Sequence, residues 1–380
     1  MFFLQKTKCW FVVMLLTIIG YCLSGTAIAA TENSAVTTES TGELSTPVWS
    51  LNGFGTVGFS HSNEKSADFV FDNLQPKGSG YNRDLNPDID TRLGIQVTAN
   101  LNPQWSAVLQ IVSEYRWDNS YTPFVNWANI RYAVSPDLSV RFGRIALASY
   151  MASSSRKVGY SNPWIRPSAE VYRLLVLTNS DGVDISYRQH FQDVTNNLTL
   201  LYGKKTVVNT RGAHIHSSDV WGVFDTLEYG PSSLHMAYQE RHVDNQSPPL
   251  GKFMSVGVSY DPGQWLINAE AVRVVNYDAR SVKAIRAAWN VSAAYRLGRW
   301  TPFVSLSELR PLSDTGVAPL AQKTIAAGVR WDLMRNLDFK LQADHIRLGQ
   351  GSPGTLQNLQ PDFQRGGRVN VLSAAIDFVF

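Results

Sequence analysis

Apolar and polar residues alternate along most of the chain after about residue 48. In the clearest run, between residues 92 and 102, every second residue is apolar: Leu93, Ile95, Val97, Ala99 and Leu101. Successive side chains of a β-strand point to opposite faces, so a period of two predicts a strand with one apolar and one polar face. Since the intervening residues include charged and amide side chains, we expect the polar face to contact water.

The same pattern recurs, and it predicts about sixteen strands. They cover residues 48–61, 92–102, 105–116, 125–134, 138–144, 183–191, 197–203, 220–229, 233–243, 252–260, 265–276, 282–296, 300–309, 324–331, 337–346 and 368–380. Short turns alternate with longer or more polar loops at 62–88, 118–123, 145–182, 204–218, 244–251, 277–281, 310–322 and 347–366. Such alternation is typical of a transmembrane β-barrel with short periplasmic turns.

The last predicted strand ends at Phe380, and every second residue back from it as far as Leu372 is apolar. A membrane barrel leaves no open edge, so this strand must pair with the first. We therefore predict an all-β fold, a transmembrane antiparallel β-barrel of about 16 strands.

The alternation stops between Ile145 and Gly182, in the third of the longer loops. Gly159, Pro163 and Pro167 interrupt any regular element there. An irregular connection of this length is usually functional or disordered, and the segment is too apolar for disorder. We predict that this long third loop folds into the lumen and narrows the barrel.

Residues 1–29 have the features of a secretory signal peptide. Lys6 and Lys8 precede a short apolar stretch, and Ala27 and Ala29 flank the cleavage site. We expect residues 30–47, rich in Ser, Thr and Glu, to form a flexible periplasmic leader. Residues 48–380 then form the outer-membrane β-barrel.

Composition excludes several function classes. Both cysteines, Cys9 and Cys22, lie in the signal peptide, so the mature chain has neither disulfides nor thiolate chemistry. The net charge of the whole chain is +3, and removing the two signal lysines leaves about +1. So small a charge argues against nucleic-acid binding.

Charged residues are tolerated on the polar face of a barrel strand because the lumen holds water. The residues that we expect to line the pore or its constriction are Arg92, Glu114, Arg116, Arg131, Arg141, Arg156, Lys157, Arg166, Glu170, Arg173, Asp181 and Arg188. The same parity predicts four further lumen cations, Arg296, Arg330, Lys340 and Arg368. The excess of basic residues in the third loop predicts a mild anion preference. The alternative is structural ion pairing along the wall.

Two groups of side chains resemble metal ligands. His214 and His216 could chelate a metal on a strand face, although no third ligand is near in sequence. Asp84, Asp88 and Asp90 are spaced carboxylates without the spacing or the central glycine of an EF-hand. A solvated surface explains both groups, so we expect no metal or cofactor.

A membrane phospholipase and a purely structural or adhesive barrel are the other function classes. His190, His235, Ser186 and Ser233 are candidate catalytic residues, but none lies in a recognisable motif such as G-x-S-x-G. His190 falls on the lumen face, which is the wrong side for lipid hydrolysis. An adhesin needs long outward loops, whereas the third loop is predicted to point inward.

Three features together resemble the Gram-negative outer-membrane porin superfamily. They are the glycine-rich first strand with Gly53 and Gly55, the sequence Arg-Phe-Gly-Arg at 141–144 before the third loop, and the terminal Phe380. The third loop lacks the acidic Pro-Glu-Phe-Gly type of motif seen in enterobacterial general porins. The resemblance covers nearly the whole mature chain.

The resemblance implies a sixteen-stranded barrel in the outer membrane of a Gram-negative bacterium, usually a homotrimer, surrounded by lipid and lipopolysaccharide. It implies passive diffusion of small hydrophilic solutes and ions, with the third loop as the constriction. The alternative is a substrate-selective channel for anions or small organic acids.

Overall fold

The computed structural model describes residues 48–244, 250–277, 283–313 and 319–380. The predicted signal peptide (1–29) and leader (30–47) lie outside the described residues. No helix among the described residues is long and apolar enough to cross a membrane.

Sixteen antiparallel strands form one closed barrel, as the alternation predicts. We number them β1 to β16 in chain order. Their bounds are β1 Val48–Ser62, β2 Arg92–Asn100, β3 Trp105–Glu114, β4 Phe124–Ala133, β5 Leu138–Ala146, β6 Asn179–Phe191, β7 Val194–Val208, β8 His214–Tyr229, β9 Ser232–Val243, β10 Leu250–Tyr260, β11 Trp265–Tyr277, β12 Lys283–Tyr295, β13 Trp300–Pro311, β14 Gln322–Met334, β15 Leu337–Leu348 and β16 Arg368–Val379.

The barrel closes between β1 and β16, which confirms the predicted pairing of the first and last strands. Gly55 lies opposite Phe378, and Gly53 and Phe380 exchange two backbone hydrogen bonds of 2.8 and 3.0 Å. The rings of Phe378 and Phe380 occupy the space that a Cβ on Gly55 and Gly53 would need. The glycines of the first strand therefore make room for the aromatic end of the last.

The outward face of the wall is apolar and exposed. Large side chains such as Leu51, Phe142 and Leu372 each expose more than half of their surface. At the end with short turns, aromatic pairs cross between neighbouring strands: Trp105 with Tyr132, Trp265 with Tyr295 and Trp300 with Trp331. This is the pattern of a lipid-facing band with an aromatic girdle at one interface.

Two sequence predictions about the wall are wrong. The loop predicted at 204–218 is only a five-residue connection, because β7 runs to Val208 and β8 begins at His214. A register shift between Gly203 and Lys205 interrupts the alternation there. The prediction that Arg368 faces the lumen is also wrong. Its side chain is exposed on the outward face of β16, on the same side as that of Leu372.

Loop three, residues 147–178, folds into the lumen as predicted. It contains a 3-10 turn, Gly159–Ser161, and one four-residue helix, α1, Ala169–Tyr172. Leu147, Val171 and Leu177 are almost fully buried against inward wall residues such as Phe253. An apolar cluster of this kind explains why the segment is too hydrophobic to be a surface loop.

Loop one, residues 63–91, is packed rather than a plain solvated loop. Asp68–Phe69 pairs with Ser79–Gly80, and the short strand Leu85–Asn86 adds to β1. Phe69 and Ile89 pack with Leu356 of the loop between β15 and β16, here called loop eight. Loops one, three and eight thus meet inside the long-loop end of the barrel.

Candidate functional site

Backbone and side-chain contacts hold the first part of loop three on the strands β9 to β11. The Ser149 hydroxyl donates to Gln239 (2.9 Å), and the backbone N–H of Met151 donates to Glu270 (3.0 Å). The imidazole of His235 lies 2.8 Å from the carbonyl oxygen of Ala148. The loop therefore crosses the lumen at a fixed position.

Arg166 is the most deeply buried of the predicted site residues in ionic contact. Its guanidinium lies 2.5 Å from Asp90 and 3.0 Å from Asp344, and it also donates to Ser373 (2.6 Å). Only about 2% of its side chain is exposed. This arginine ties loop three to loop one, β15 and β16, and its charge is neutralised there.

Glu170 anchors the opposite side of the loop. Its carboxylate accepts hydrogen bonds from Ser307 (2.8 Å), Gln322 and Thr324 of β13 and β14. Ser168, just before α1, donates a further bond of 2.8 Å. With four donors around it and 1% exposure, this carboxylate serves packing within the wall.

Arg173 joins loop three to loops one and eight. It donates to the carbonyl oxygens of Val70 (2.9 Å) and Thr355 (2.5 Å), and to the amide oxygen of Asn73. Burial lowers the pKa of Arg173 to about 10, while the charge of Asp72 opposes that change. The guanidinium therefore organises the outer loops rather than the lumen.

A buried lysine holds the middle of loop three. Lys340 donates to the carbonyl oxygen of Gly159 (2.7 Å) and pairs with Asp377 (2.8 Å). Arg330 donates to the carbonyl oxygen of Tyr160 and lies 4.5 Å from the centre of its ring. Lys340 and Arg330 face inward as parity predicts, and both are structural contacts of the loop.

A basic cavity of about 240 Å³ lies between loops one and three and the strands β2 to β7. Six cations line it: Arg92, Arg116, Arg144, Arg156, Lys157 and Lys205. Only two carboxylates, Asp72 and Glu114, line the same space. The excess of positive charge gives this cavity the electrostatics of an anion site.

Two of the six cations are paired. Lys157 forms an ion pair with Glu114, and Arg144 lies 2.6 Å from Asp181. Among the residues that the structure describes, the other four form no ion pair. The Arg92 side chain donates to the carbonyl oxygen of Asp90 (3.2 Å) and Arg116 stacks on the ring of Phe124, whereas the described contacts of Arg156 and Lys205 include neither kind. Arg156 and Lys205 are therefore the cations most available to a solute.

Apolar side chains form the rest of the basic cavity. Arg116 stacks 4.1 Å above the ring of Phe124, and Lys157 approaches the same ring at 5.4 Å. Phe71, Ile89 and Val207 continue this surface. Charges beside an apolar wall interact more strongly than they do in water, because the wall lowers the local dielectric.

Arg131, Arg141 and Arg188 lie nearer the short-turn end. Arg141 binds Asp184 through contacts of 3.0 and 3.1 Å, and that carboxylate is almost fully buried. Arg131 lies directly opposite Arg141 in the sheet and is exposed, as is Arg188. These three cations lie further along the strands, toward the short turns, and do not line the basic cavity. Their roles in conduction remain predictions.

A second cavity, of about 370 Å³, lies between loop three and the strands β9 to β15. Its lining is rich in hydroxyl and amide groups, including Ser259, Asn268 and Ser305. Trp164 Nε1 and Asn290 Oδ1, on its lining, have no hydrogen-bond partner within the described ranges. The same lining carries two arginines and four carboxylates, so this side of the loop, unlike the basic cavity, has no excess of positive charge.

Sequence reasoning missed Lys205 and Phe124 as lining residues. The sequence predicts a loop at Lys205, because the register shift after Gly203 interrupts the alternation and residues 204–206 are all polar. No pattern in the sequence marks Phe124, whose position depends on how loop three crosses the lumen.

The candidate metal ligands lie apart. His216 contacts Thr206 at 2.9 Å, and its ring centre is 6.2 Å from that of His214. Asp88 pairs with Arg83 at 2.6 Å, whereas Asp90 pairs with loop three. In the described part of the chain, no group of three or more His, Cys, Asp or Glu residues could hold a metal ion.

The model of the Gram-negative porin family matches residues 16–350 of the chain. A search of curated protein sequences finds no match. Similar solved structures include the anion-selective porin of Comamonas acidovorans, which is 14% identical with a TM-score of 0.58 over 88% of this chain and 100% of that one.

Two more structures share the fold. The outer membrane channel DcaP of Acinetobacter baumannii is 14% identical, with a TM-score of 0.60 over 88% of this chain and 98% of that chain. OmpT of Vibrio cholerae, an outer membrane protein in its trimer form, is 10% identical, with a TM-score of 0.59 over 88% and 100%. At these identities the similarity establishes the fold.

Proposed function

Because the chain belongs to the Gram-negative porin family and is therefore an outer-membrane channel, we propose that small hydrophilic solutes and ions diffuse through it passively, with a mild preference for anions. The family and the fold indicate a channel rather than an enzyme. Transport needs no covalent step: the wall excludes lipid, and loop three limits the width of the path.

The basic cavity is the observation that supports the anion preference. Six cations face two carboxylates there, and Arg156 and Lys205 make no ion pair within the described residues. An anion entering this cavity exchanges part of its hydration for fixed positive charge, whereas a cation meets repulsion. The comparison with an anion-selective porin points in the same direction.

A substrate-selective channel for small organic acids is the second candidate. The observation that favours it is the apolar side of the basic cavity, formed by Phe71, Ile89, Phe124 and Val207. An acid with an apolar body would place its carboxylate near Arg156 or Lys205 and its carbon chain on this surface. Chloride would gain nothing from the apolar side.

We also propose that residues 1–29 are removed on export and that residues 30–47 form a leader.

We propose further that the protein works as a homotrimer surrounded by lipid and lipopolysaccharide. The strands β2 to β5 have only nine or ten residues, whereas β6 to β16 have eleven to sixteen. A low wall on one side of the barrel suits contact with a second copy. A trimeric relative of the same fold supports this assembly.

Solute permeation separates these functions. The purified protein in liposomes is tested with acetate, benzoate and benzyl alcohol, which differ in charge and in apolar surface. A general porin admits all three, and its chloride current in a planar bilayer is insensitive to benzoate. A selective channel is blocked by millimolar benzoate but by neither acetate nor benzyl alcohol. If neither acetate nor benzoate enters faster than it enters liposomes without protein, both functions are excluded.

A further inference from the structure

Three cations form an unbroken row on the outward face of the barrel. The register places Lys323 of β14 opposite Arg347 of β15, and Arg347 opposite Arg368 of β16. All three side chains are exposed. Like charges placed directly opposite each other destabilise a sheet. A bound anion from outside the chain would reduce the repulsion within this row.

The chain itself supplies little negative charge to this row. Lys323 lies 3.4 Å from Glu308 of β13. Within the described ranges, neither Arg347 nor Arg368 forms an ion pair. In the next row down, His345 and Asn370 bind each other at 2.7 Å, and neither offers a carboxylate to the row. The two arginines therefore remain free on the surface.

The height of the row follows from the strand register. Trp331 and Phe339 pair near the short-turn end of the outward face, and Lys323 lies eight residues above Trp331 on the same strand. Eight residues rise about 27 Å along a strand. A tilt of about 40° reduces this to roughly 21 Å of height, close to the apolar band of about 25 Å in outer-membrane barrels. The cations thus lie at the outer edge of that band.

The surface below the row is apolar. Ile325, Leu341 and Leu372 each expose about half of their surface on the outward face. A ligand bound here would meet cations above and hydrocarbon below. That combination matches a lipid whose charged groups sit at the headgroup level and whose acyl chains lie along the wall.

We propose that Lys323, Arg347 and Arg368 bind the phosphate groups of the glycolipid in the outer leaflet of the outer membrane. Neighbouring strands are about 4.8 Å apart, so three side chains span roughly 10 Å, the scale of one phosphorylated headgroup. The planar guanidinium suits bidentate contact with phosphate oxygens. This inference rests on the outer-membrane location and not on the proposed ion selectivity.

The test compares lipopolysaccharide that carries phosphorylated lipid A with the same glycolipid after dephosphorylation. The full-length mature protein in detergent is titrated with each, and bound lipid is measured by native mass spectrometry alongside the heat-unfolding temperature. We expect the wild type to bind the phosphorylated form at least tenfold more tightly. Inorganic phosphate alone should give no stabilisation, since it lacks the acyl chains.

The double variant Arg347→Ser with Arg368→Ser should lose this preference. The matched control is Arg273→Ser on β11, because Arg273 is also exposed on the outward face but has Met254 and Ala287 as its cross-strand neighbours. The control should keep the wild-type preference. The single-channel current of all three proteins should be the same.

Several results would overturn the proposal. One is equal binding of the two glycolipid forms by the wild type, which requires no variant to fold. Another is an equal loss of preference in the control and the double variant. A change of oligomeric state in the double variant without any change in lipid binding would instead assign the row to an interface between copies.

Discussion

Removing the charge of Arg166 should release part of loop three. Its guanidinium lies 2.5 Å from Asp90 and 3.0 Å from Asp344, and these carboxylates are 1% and 7% exposed. Arg166→Met keeps much of the apolar stem but leaves two buried carboxylates without their cation. Breaking a buried ion pair in this way costs about 3–5 kcal/mol.

The cost should appear in the loop, because the wall has its own continuous ladder of hydrogen bonds. Every 1.4 kcal/mol is tenfold in an equilibrium constant, so local opening should rise by about 140- to 3,700-fold. Hydrogen exchange of the backbone amides near Ile165, measured by mass spectrometry, reports this opening directly. The Ile165 amide donates to Gln342 at 3.0 Å and is protected while the loop is docked.

Arg188→Met is the matched control, since Arg188 is exposed and lies on β6 away from the loop. Its loop exchange should equal that of the wild type. If Arg166→Met changes exchange near Ile165 by less than about threefold, the ion pairs do not hold the loop and the reasoning fails.

Three further changes test other parts of the structure. Glu170→Leu removes the acceptor for Ser307, Gln322 and Thr324, and each unpaired buried donor costs about 1–3 kcal/mol. We expect a larger and noisier single-channel current from this variant. A steady current equal to that of the wild type would show that α1 needs no such anchor. Deleting Phe380 removes its two backbone hydrogen bonds to Gly53, about 1 kcal/mol each, and the ring packed on that glycine. We expect a smaller folded fraction on heated gels and a lower unfolding temperature. An unchanged unfolding temperature would contradict the closure described for β1 and β16. Arg156→Glu should shift the zero-current potential in the direction of cation selectivity by more than Arg188→Glu does. Equal shifts would show that Arg156 has no special role in selecting ions.

The wall could be predicted from the sequence because its pattern is local. An alternation of period two is visible over ten residues, and it placed most strand ends within a few residues of their positions. The prediction failed between residues 204 and 218, where the register shift after Gly203 breaks the alternation. The assignment of Arg368 to the lumen was wrong, because Arg368 lies on the same face of its strand as Leu372, whose side chain points outward.

The contacts of loop three could not be predicted, because they join residues far apart in the chain. Arg166 meets Asp90 and Asp344, which are 76 and 178 positions away. The sequence counts Arg166 among the basic residues of loop three that are expected to line the constriction and to favour anions. The buried ion pairs of Arg166 make it a test of loop docking instead, and they leave Arg156 and Lys205 as the residues for the selectivity test.

The most direct test of the central claim is the zero-current potential of the mature protein in a planar lipid bilayer under a tenfold gradient of potassium chloride. We expect a potential whose sign corresponds to chloride as the more permeant ion, and a shift toward potassium in the double variant Arg156→Glu with Lys205→Glu. A potential that favours potassium in the wild type, or one that the double variant leaves unchanged, would contradict the account of the basic cavity as the selective part of the channel.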